Sequence, residues 1–176
     1  RPSGKRTTAT PRATRRSTRR CSLAASAERG RVAALLRVHS QAAPFQQPER
    51  VVGFFNTSNA LNAVITNGGS NSQTLFSNTA TAGAATITNS GAGSNTTFIV
   101  NATAGTANIS NSGSDSSTIF GQNTSAGGAT ILSGGDFSNV RFLDNSTGGT
   151  ATITLSGNTA IGDFLNNATA GDATIN

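Results

Sequence analysis

Acidic side chains are the main reactive groups in the larger part of this 176-residue chain. Residues 51–176 hold five aspartates and one basic residue, Arg141, whereas the histidine (His39) and the cysteine (Cys21) lie nearer the start. Paired carboxylates could act as general acid and base, and a multi-histidine cluster could hold zinc. The aspartates fall at five different positions of a 22-residue repeat, so they form no recurring pair (Asp115, Asp136, Asp144, Asp163 and Asp172). The sequence therefore predicts a protein that is not an enzyme and has no catalytic, cofactor-binding or metal-ligating residues.

Threonine hydroxyls recur more regularly than the acidic groups do. Thr86 and Thr88 form a Thr-x-Thr pair, as do Thr152 and Thr154, and alternate residues of a strand point to the same side. Rows of such pairs resemble the ice-binding face of β-solenoid antifreeze proteins. An ice- or glycan-binding β-solenoid that uses outward Thr and Asn columns is therefore an alternative function, although threonine suits any exposed strand position. Other copies of the repeat interrupt the pairs (Val64, Asn108, Ser110 and Leu132).

The elements that position these groups are set by the repeat of 22 residues. Phe, Ala and Ile each recur at this step in every copy, and Gly recurs in two further columns. The phenylalanines are Phe54, Phe76, Phe98, Phe120, Phe142 and Phe164. Five full copies and a partial sixth run from Val52 to Asn176. Residues 51–176 are therefore predicted to be one repeat domain, and we take them as a fragment of a longer array.

Each copy contains two short stretches with the two-residue period of a β-strand, separated by Gly, Asn and Ser. A fixed period favours stacking each strand on its counterpart one copy later. The sequence thus predicts an all-β fold, a single-stranded parallel β-helix (β-solenoid) of about six 22-residue coils. Right-handed winding is predicted because parallel crossovers generally have that hand. Phe and Ile should face the interior and Thr the solvent, while Asn67, Asn89 and Asn111 should stack as an amide ladder at a turn.

Residues 1–50 differ from the repeat domain in charge. They hold twelve of the thirteen basic residues against two acidic ones, together with all four prolines. Their net charge is therefore about +10, whereas that of residues 51–176 is −4. This composition predicts a disordered basic tail. The tail is interpreted as an unstructured leader, native or not, or as a targeting segment, and nucleic-acid binding through phosphates is the least favoured interpretation.

Two motifs within the repeat are typical of a known family. Phe-x-x-Asn is followed by Gly-x-Ala-x-Ile, and residues 127–129 read Gly-Gly-Ala. The Phe-x-x-Asn matches are Phe98 with Asn101, Phe120 with Asn123, Phe142 with Asn145, and Phe164 with Asn167. Across residues 52–176 the repeat resembles that of bacterial autotransporter passengers and is similar to the motifs of polymorphic outer-membrane proteins. The first two copies depart from the motif, with Thr57 and Thr79 in place of the asparagine.

This resemblance implies a protein that is secreted and displayed at the bacterial cell surface, in association with the outer membrane. The implied function is that of a non-catalytic structural stalk or adhesin, with host or surface glycans and proteins as partners. Export through an outer-membrane translocator barrel, encoded outside this sequence, is also implied.

Overall fold

Strands form where the repeat alternates inward and outward side chains over four residues. The computed structural model describes residues 50–176, and in this part of the chain it contains twelve strands and no helix. The predicted disordered tail, apart from Arg50, lies outside the described residues. The strands are β1 (Val51–Phe54), β2 (Val64–Asn67), β3 (Gln73–Phe76), β4 (Thr86–Asn89), β5 (Asn95–Phe98), β6 (Asn108–Asn111), β7 (Ser117–Phe120), β8 (Thr130–Ser133), β9 (Asn139–Phe142), β10 (Thr152–Leu155), β11 (Ile161–Phe164) and β12 (Thr174–Ile175).

The strands build two six-stranded parallel sheets along the solenoid. The first sheet contains β1, β3, β5, β7, β9 and β11 in that order, and the second contains the even-numbered strands. Each pairing joins residues one repeat apart, such as Phe54 with Phe76 and Ile65 with Ile87. A third, shorter side of the coil is marked by single-residue parallel bridges, the first of which joins Asn59 to Thr81. The predicted all-β solenoid of about six coils is therefore confirmed.

Stacked phenylalanines form the centre of the interior. From the first coil to the last, successive ring centroids lie 4.6–4.8 Å apart and the ring planes differ by at most 9°. Isolated aromatic pairs prefer offset or edge-to-face contacts. Here the spacing matches the strand separation of a sheet, so backbone pairing sets the ring geometry. The isoleucine column, except Ile175 in the last coil, and most of the alanines are buried beside the rings, which confirms the predicted inward positions.

A polar ladder runs through the interior of the first three coils. The Asn67 amide donates to Asn89 Oδ1, and the Asn89 amide donates to Asn111 Oδ1, each at 2.7 Å. The threonine seven residues later in each coil also points inward and donates to the same amide oxygen at 3.0–3.1 Å (Thr74, Thr96 and Thr118). The ladder was predicted at a turn, but it lies on the last residues of β2, β4 and β6. These threonines of the first sheet face inward because each donates to an amide oxygen, and for Asn89 and Asn111 the threonine is the second donor.

Each coil is closed by turns with left-handed backbone. One turn carries glycine, with φ between 59° and 64°, in five successive coils (Gly83, Gly105, Gly127, Gly149 and Gly171). Leu61 takes the same conformation in the first coil, with φ 54°. Two further turn positions carry varied residues, including Val100 (φ 69°) and Phe137 (φ 55°). Bulky residues rarely adopt such angles, and hydrogen bonds between coils hold them there, such as that from Phe137 N to Asn158 O at 2.9 Å.

A second glycine column, which includes Gly113 and Gly135, allows the backbones of neighbouring coils to lie close together. A Cβ atom at Gly135 would overlap the carbonyl oxygen of Gly113 in the preceding coil. The adjacent Gly134 has room, since the nearest atom to a Cβ placed there is Ser156 Oγ at 3.5 Å. Backbone contact between coils therefore requires glycine at position 135 but not at position 134.

We expect Gly135→Ala to lower the free energy of unfolding by about 2 kcal/mol, because the new methyl group meets backbone that cannot move aside. Gly134→Ala is the matched control. It should be neutral or slightly stabilising, since alanine restricts the unfolded chain more than glycine does. Thermal unfolding of the full chain, followed by circular dichroism, measures both effects. Equal melting temperatures for the two variants would contradict the close contact between coils.

Candidate binding faces

The outer face of the second sheet carries the threonine columns. In β4, the first and third residues face outward while the second and fourth are buried, and β2, β6 and β8 share this alternation. Thr86, Thr130 and Thr152 are exposed on this face, as predicted. Among the described strands, complete Thr-x-Thr pairs occur in β4 and β10, which are separated by β6 and β8. The face is therefore rich in hydroxyls, but its rows are not continuous.

The asparagines of the Phe-x-x-Asn motif lie in the turn that follows the first-sheet strands, where all four are exposed (Asn101, Asn123, Asn145 and Asn167). Their amides bond from coil to coil: Asn145 Nδ2 donates to Asn123 Oδ1 at 3.2 Å, and Asn167 Nδ2 donates to Asn145 Oδ1 at 3.3 Å. The hydroxyl two residues after the asparagine accepts from a turn glycine, as Ser125 Oγ does from Gly127 N at 3.0 Å. The motif thus builds a column of exposed amides along this turn, which we call the amide corner.

The charged side chains of the repeat domain are dispersed over the surface. Arg141 Nε lies 3.2 Å from Asp163 Oδ2, and the two side chains are 42% and 33% exposed. A pair this exposed contributes at most about 1 kcal/mol. Asp144 accepts from the backbone N–H of Gln122 at 3.1 Å and from Asn166 Nδ2 at 3.3 Å, so its carboxylate extends the amide corner. The Arg141–Asp163 pair was missed at the sequence level, although the two residues stand one repeat apart.

Residues 50–176 contain no group of three or more His, Cys, Asp or Glu side chains placed to hold a metal ion. They also contain no helix long and apolar enough to cross a membrane. Comparisons with protein-family models, with curated proteins and with solved structures found no match. In the described part of the chain, the recurring polar surfaces are the outward threonine columns and the amide corner.

Proposed function

We propose that residues 51–176 form a non-catalytic structural or adhesive stalk in a secreted, surface-displayed bacterial protein of the autotransporter type. The observation that carries this proposal is the unbroken 22-residue register of both sheets. Such a register repeats the same outward columns every ~4.8 Å along the stack. A stalk, or a surface that adheres through many equivalent contacts, can be built from positions repeated in this way.

Two further features support the proposal. The interior is filled by stacked phenylalanines, isoleucines, alanines and bonded amides, which suits a mechanical role. The Phe and Asn of the Phe-x-x-Asn motif lie in different environments: Phe120 stacks in the interior, and Asn123 lies on the exposed amide corner. The motif on which the autotransporter resemblance depends is thus built into both the core and the surface.

Reading the gene on both sides of the codons for Arg1 and Asn176 tests the export part of the proposal. We expect further 22-residue copies, followed by alternating strands of ~10 residues that are typical of an outer-membrane barrel. A gene that ends soon after Asn176 without such strands would contradict surface display by this route. Protease treatment of intact cells that express the whole gene gives a second measurement, since a displayed solenoid is cleaved while cytoplasmic controls are spared.

Adhesion is tested with the full chain coupled to beads and presented to a glycan array and to cultured cells. We expect retention by at least one class of glycan or cell. Phe98→Asp, which should not fold, serves as the control for non-specific binding by the basic residues 1–50. Equal retention of both forms, or none of either, would contradict an adhesive role and leave the structural role alone.

The exposed threonines favour ice or glycan binding through the second sheet as a second candidate. Thr86, Thr130 and Thr152 present their side chains to solvent in a column along this face. Thermal hysteresis of the full chain tests the ice-binding form. Thr152→Lys should abolish any hysteresis that depends on this face, whereas the same freezing behaviour as an inert protein at equal concentration would exclude ice binding.

A further inference from the structure

A stripe of large apolar side chains runs along the outside of the first sheet. Each coil contributes one such residue, either the third residue of the strand or the residue just after it. The stripe consists of Phe55, Leu75, Ile99, Ile119, Leu143 and Leu165. The third strand residue faces outward by the alternation of each strand. The residue after the strand lies on the same side, since a Cβ on Gly53 would meet the Phe55 ring.

The stripe is accessible to a partner. Phe55 is 38% and Leu165 is 40% exposed, and the four residues between them are partly exposed and lie outside the buried core. With one residue per coil, the stripe is about 24 Å long. A continuous row of apolar side chains on a surface marks an interaction site more often than scattered single residues do.

The position of the large residue alternates between the two columns of the stripe over the first five coils. In the first four coils, the other column holds a smaller residue (Gly53 beside Phe55, Ser77 beside Leu75, Thr97 beside Ile99, and Gly121 beside Ile119). A two-fold axis parallel to the solenoid, midway between the columns, exchanges one column for the other. Two copies related by this axis therefore bring each large residue opposite the column that holds the small residue of the same coil in the partner copy. In the first coil the Phe55 ring already covers Gly53 within one copy, so there the two Phe55 rings would meet.

We propose that this stripe is a self-association surface at which two copies of the chain pair side by side, parallel and in register. Such a contact is isologous, because both copies use the same residues. In the last two coils the place of the small residue is taken by Arg141 and Asp163, which neutralise each other within one copy at 3.2 Å. Pairing therefore brings no unmatched charge into the contact.

The area of the stripe sets the strength of this pairing. A strip about 24 Å long and about 13 Å wide covers roughly 300 Å² on each copy. Stable protein pairs bury about 800 Å² on each partner. The pair should therefore form only at high protein concentration, as a weak and reversible contact.

Sedimentation equilibrium of the full chain, under reducing conditions that keep Cys21 from cross-linking, tests the proposal at concentrations up to about 1 mM. We expect a monomer–dimer equilibrium that persists at about 0.5 M salt, because apolar contacts are not screened as charge pairs are. A monomer at every concentration would overturn the proposal. A dimer that dissociates in salt would also overturn it, and would point instead to pairing of the basic residues of one copy with the acidic solenoid of another.

Variants then locate the contact. The double change Leu75→Ser and Ile119→Ser should weaken dimerisation by about tenfold or more. Val64→Ser removes an apolar residue that is 80% exposed on the other sheet and should leave dimerisation unchanged. Equal effects of the two would overturn the assignment to the stripe. Circular dichroism confirms that each variant is folded.

Gly121→Leu distinguishes the proposed in-register pairing from non-specific apolar association. A Cβ at this position meets only ordinary contacts with the preceding coil of the same copy, the nearest being Ile99 Cγ2 at 3.8 Å. The new side chain adds apolar surface but occupies the place over which Ile119 of the second copy would lie. We expect weaker dimerisation, and tighter dimerisation would overturn the in-register arrangement.

Discussion

Replacing Phe98 by aspartate is expected to unfold the solenoid. Phe98 is fully buried and stacks between Phe76 and Phe120. Truncating a buried phenylalanine lowers stability by about 3–5 kcal/mol, and an unpaired carboxylate in the interior lowers it by several more. A folded domain has about 5–15 kcal/mol of stability in total. The loss therefore approaches or exceeds what the fold can absorb, and the β-sheet circular dichroism signal of the full chain should disappear.

Thr86→Asp introduces the same carboxylate on the outward side of β4 and is the matched control. Thr86 is exposed, so the new charge stays in water and the free energy of unfolding should change by no more than about 0.5 kcal/mol. Circular dichroism spectra and thermal unfolding of both variants give the comparison. If both variants fold equally well, the assignment of inward and outward faces is wrong.

Replacing Asn89 by alanine should lower the free energy of unfolding by about 4 kcal/mol. Asn89 is fully buried and accepts hydrogen bonds from Asn67 Nδ2 at 2.7 Å and from Thr96 Oγ1 at 3.1 Å. It also donates to Asn111 Oδ1 at 2.7 Å and to the Ser117 carbonyl oxygen at 3.2 Å. Alanine removes all four of these hydrogen bonds, each of which contributes about 1 kcal/mol. Thr96 Oγ1 loses its partner, whereas Asn67 Nδ2 keeps its bond to Asn95 O and Asn111 Oδ1 keeps its bond from Thr118 Oγ1.

Ser133→Ala tests whether the ladder, rather than the position, accounts for this loss. Ser133 occupies the same place in a later coil and is equally buried, but it makes a single side-chain hydrogen bond, to Ser138 Oγ at 2.9 Å. The expected loss is about 1 kcal/mol. Urea unfolding of the full chain measures both variants. Equal losses would show that the amide ladder contributes no more than one isolated hydrogen bond.

The regular columns made much of this fold predictable from the sequence. Phe98 and its equivalents recur without a slip, so both the strand register and the inward face followed from spacing alone. The left-handed turns at Val100 and Phe137 could not be predicted in this way, because backbone pairing between coils overrides the preferences of those residues. The short third side was also missed, since a bridge of one residue, such as Thr81 with Thr103, leaves no alternating pattern.

The candidate surfaces were predictable in part. The outward threonines followed from strand alternation, whereas the inward Thr96 depends on a hydrogen bond to Asn89 that joins two separate strands. The Arg141–Asp163 pair was predictable in principle, because the two residues have opposite charges and occupy the same position in successive copies of the repeat. The apolar stripe combines two columns that each look irregular alone, and it becomes continuous only when the residue after each strand is known to face the same side.

The constant step between coils also has a genetic consequence. Every strand residue of an internal coil pairs with the equivalent residues of the coils before and after it. In-frame duplication or deletion of 22 consecutive codons, from any starting point, therefore restores the same stacking at the junction. Unequal recombination between copies can change the number of coils without creating a mismatched core. The length of such a gene should vary among strains in whole units of the repeat, while the sequence of each unit remains under selection.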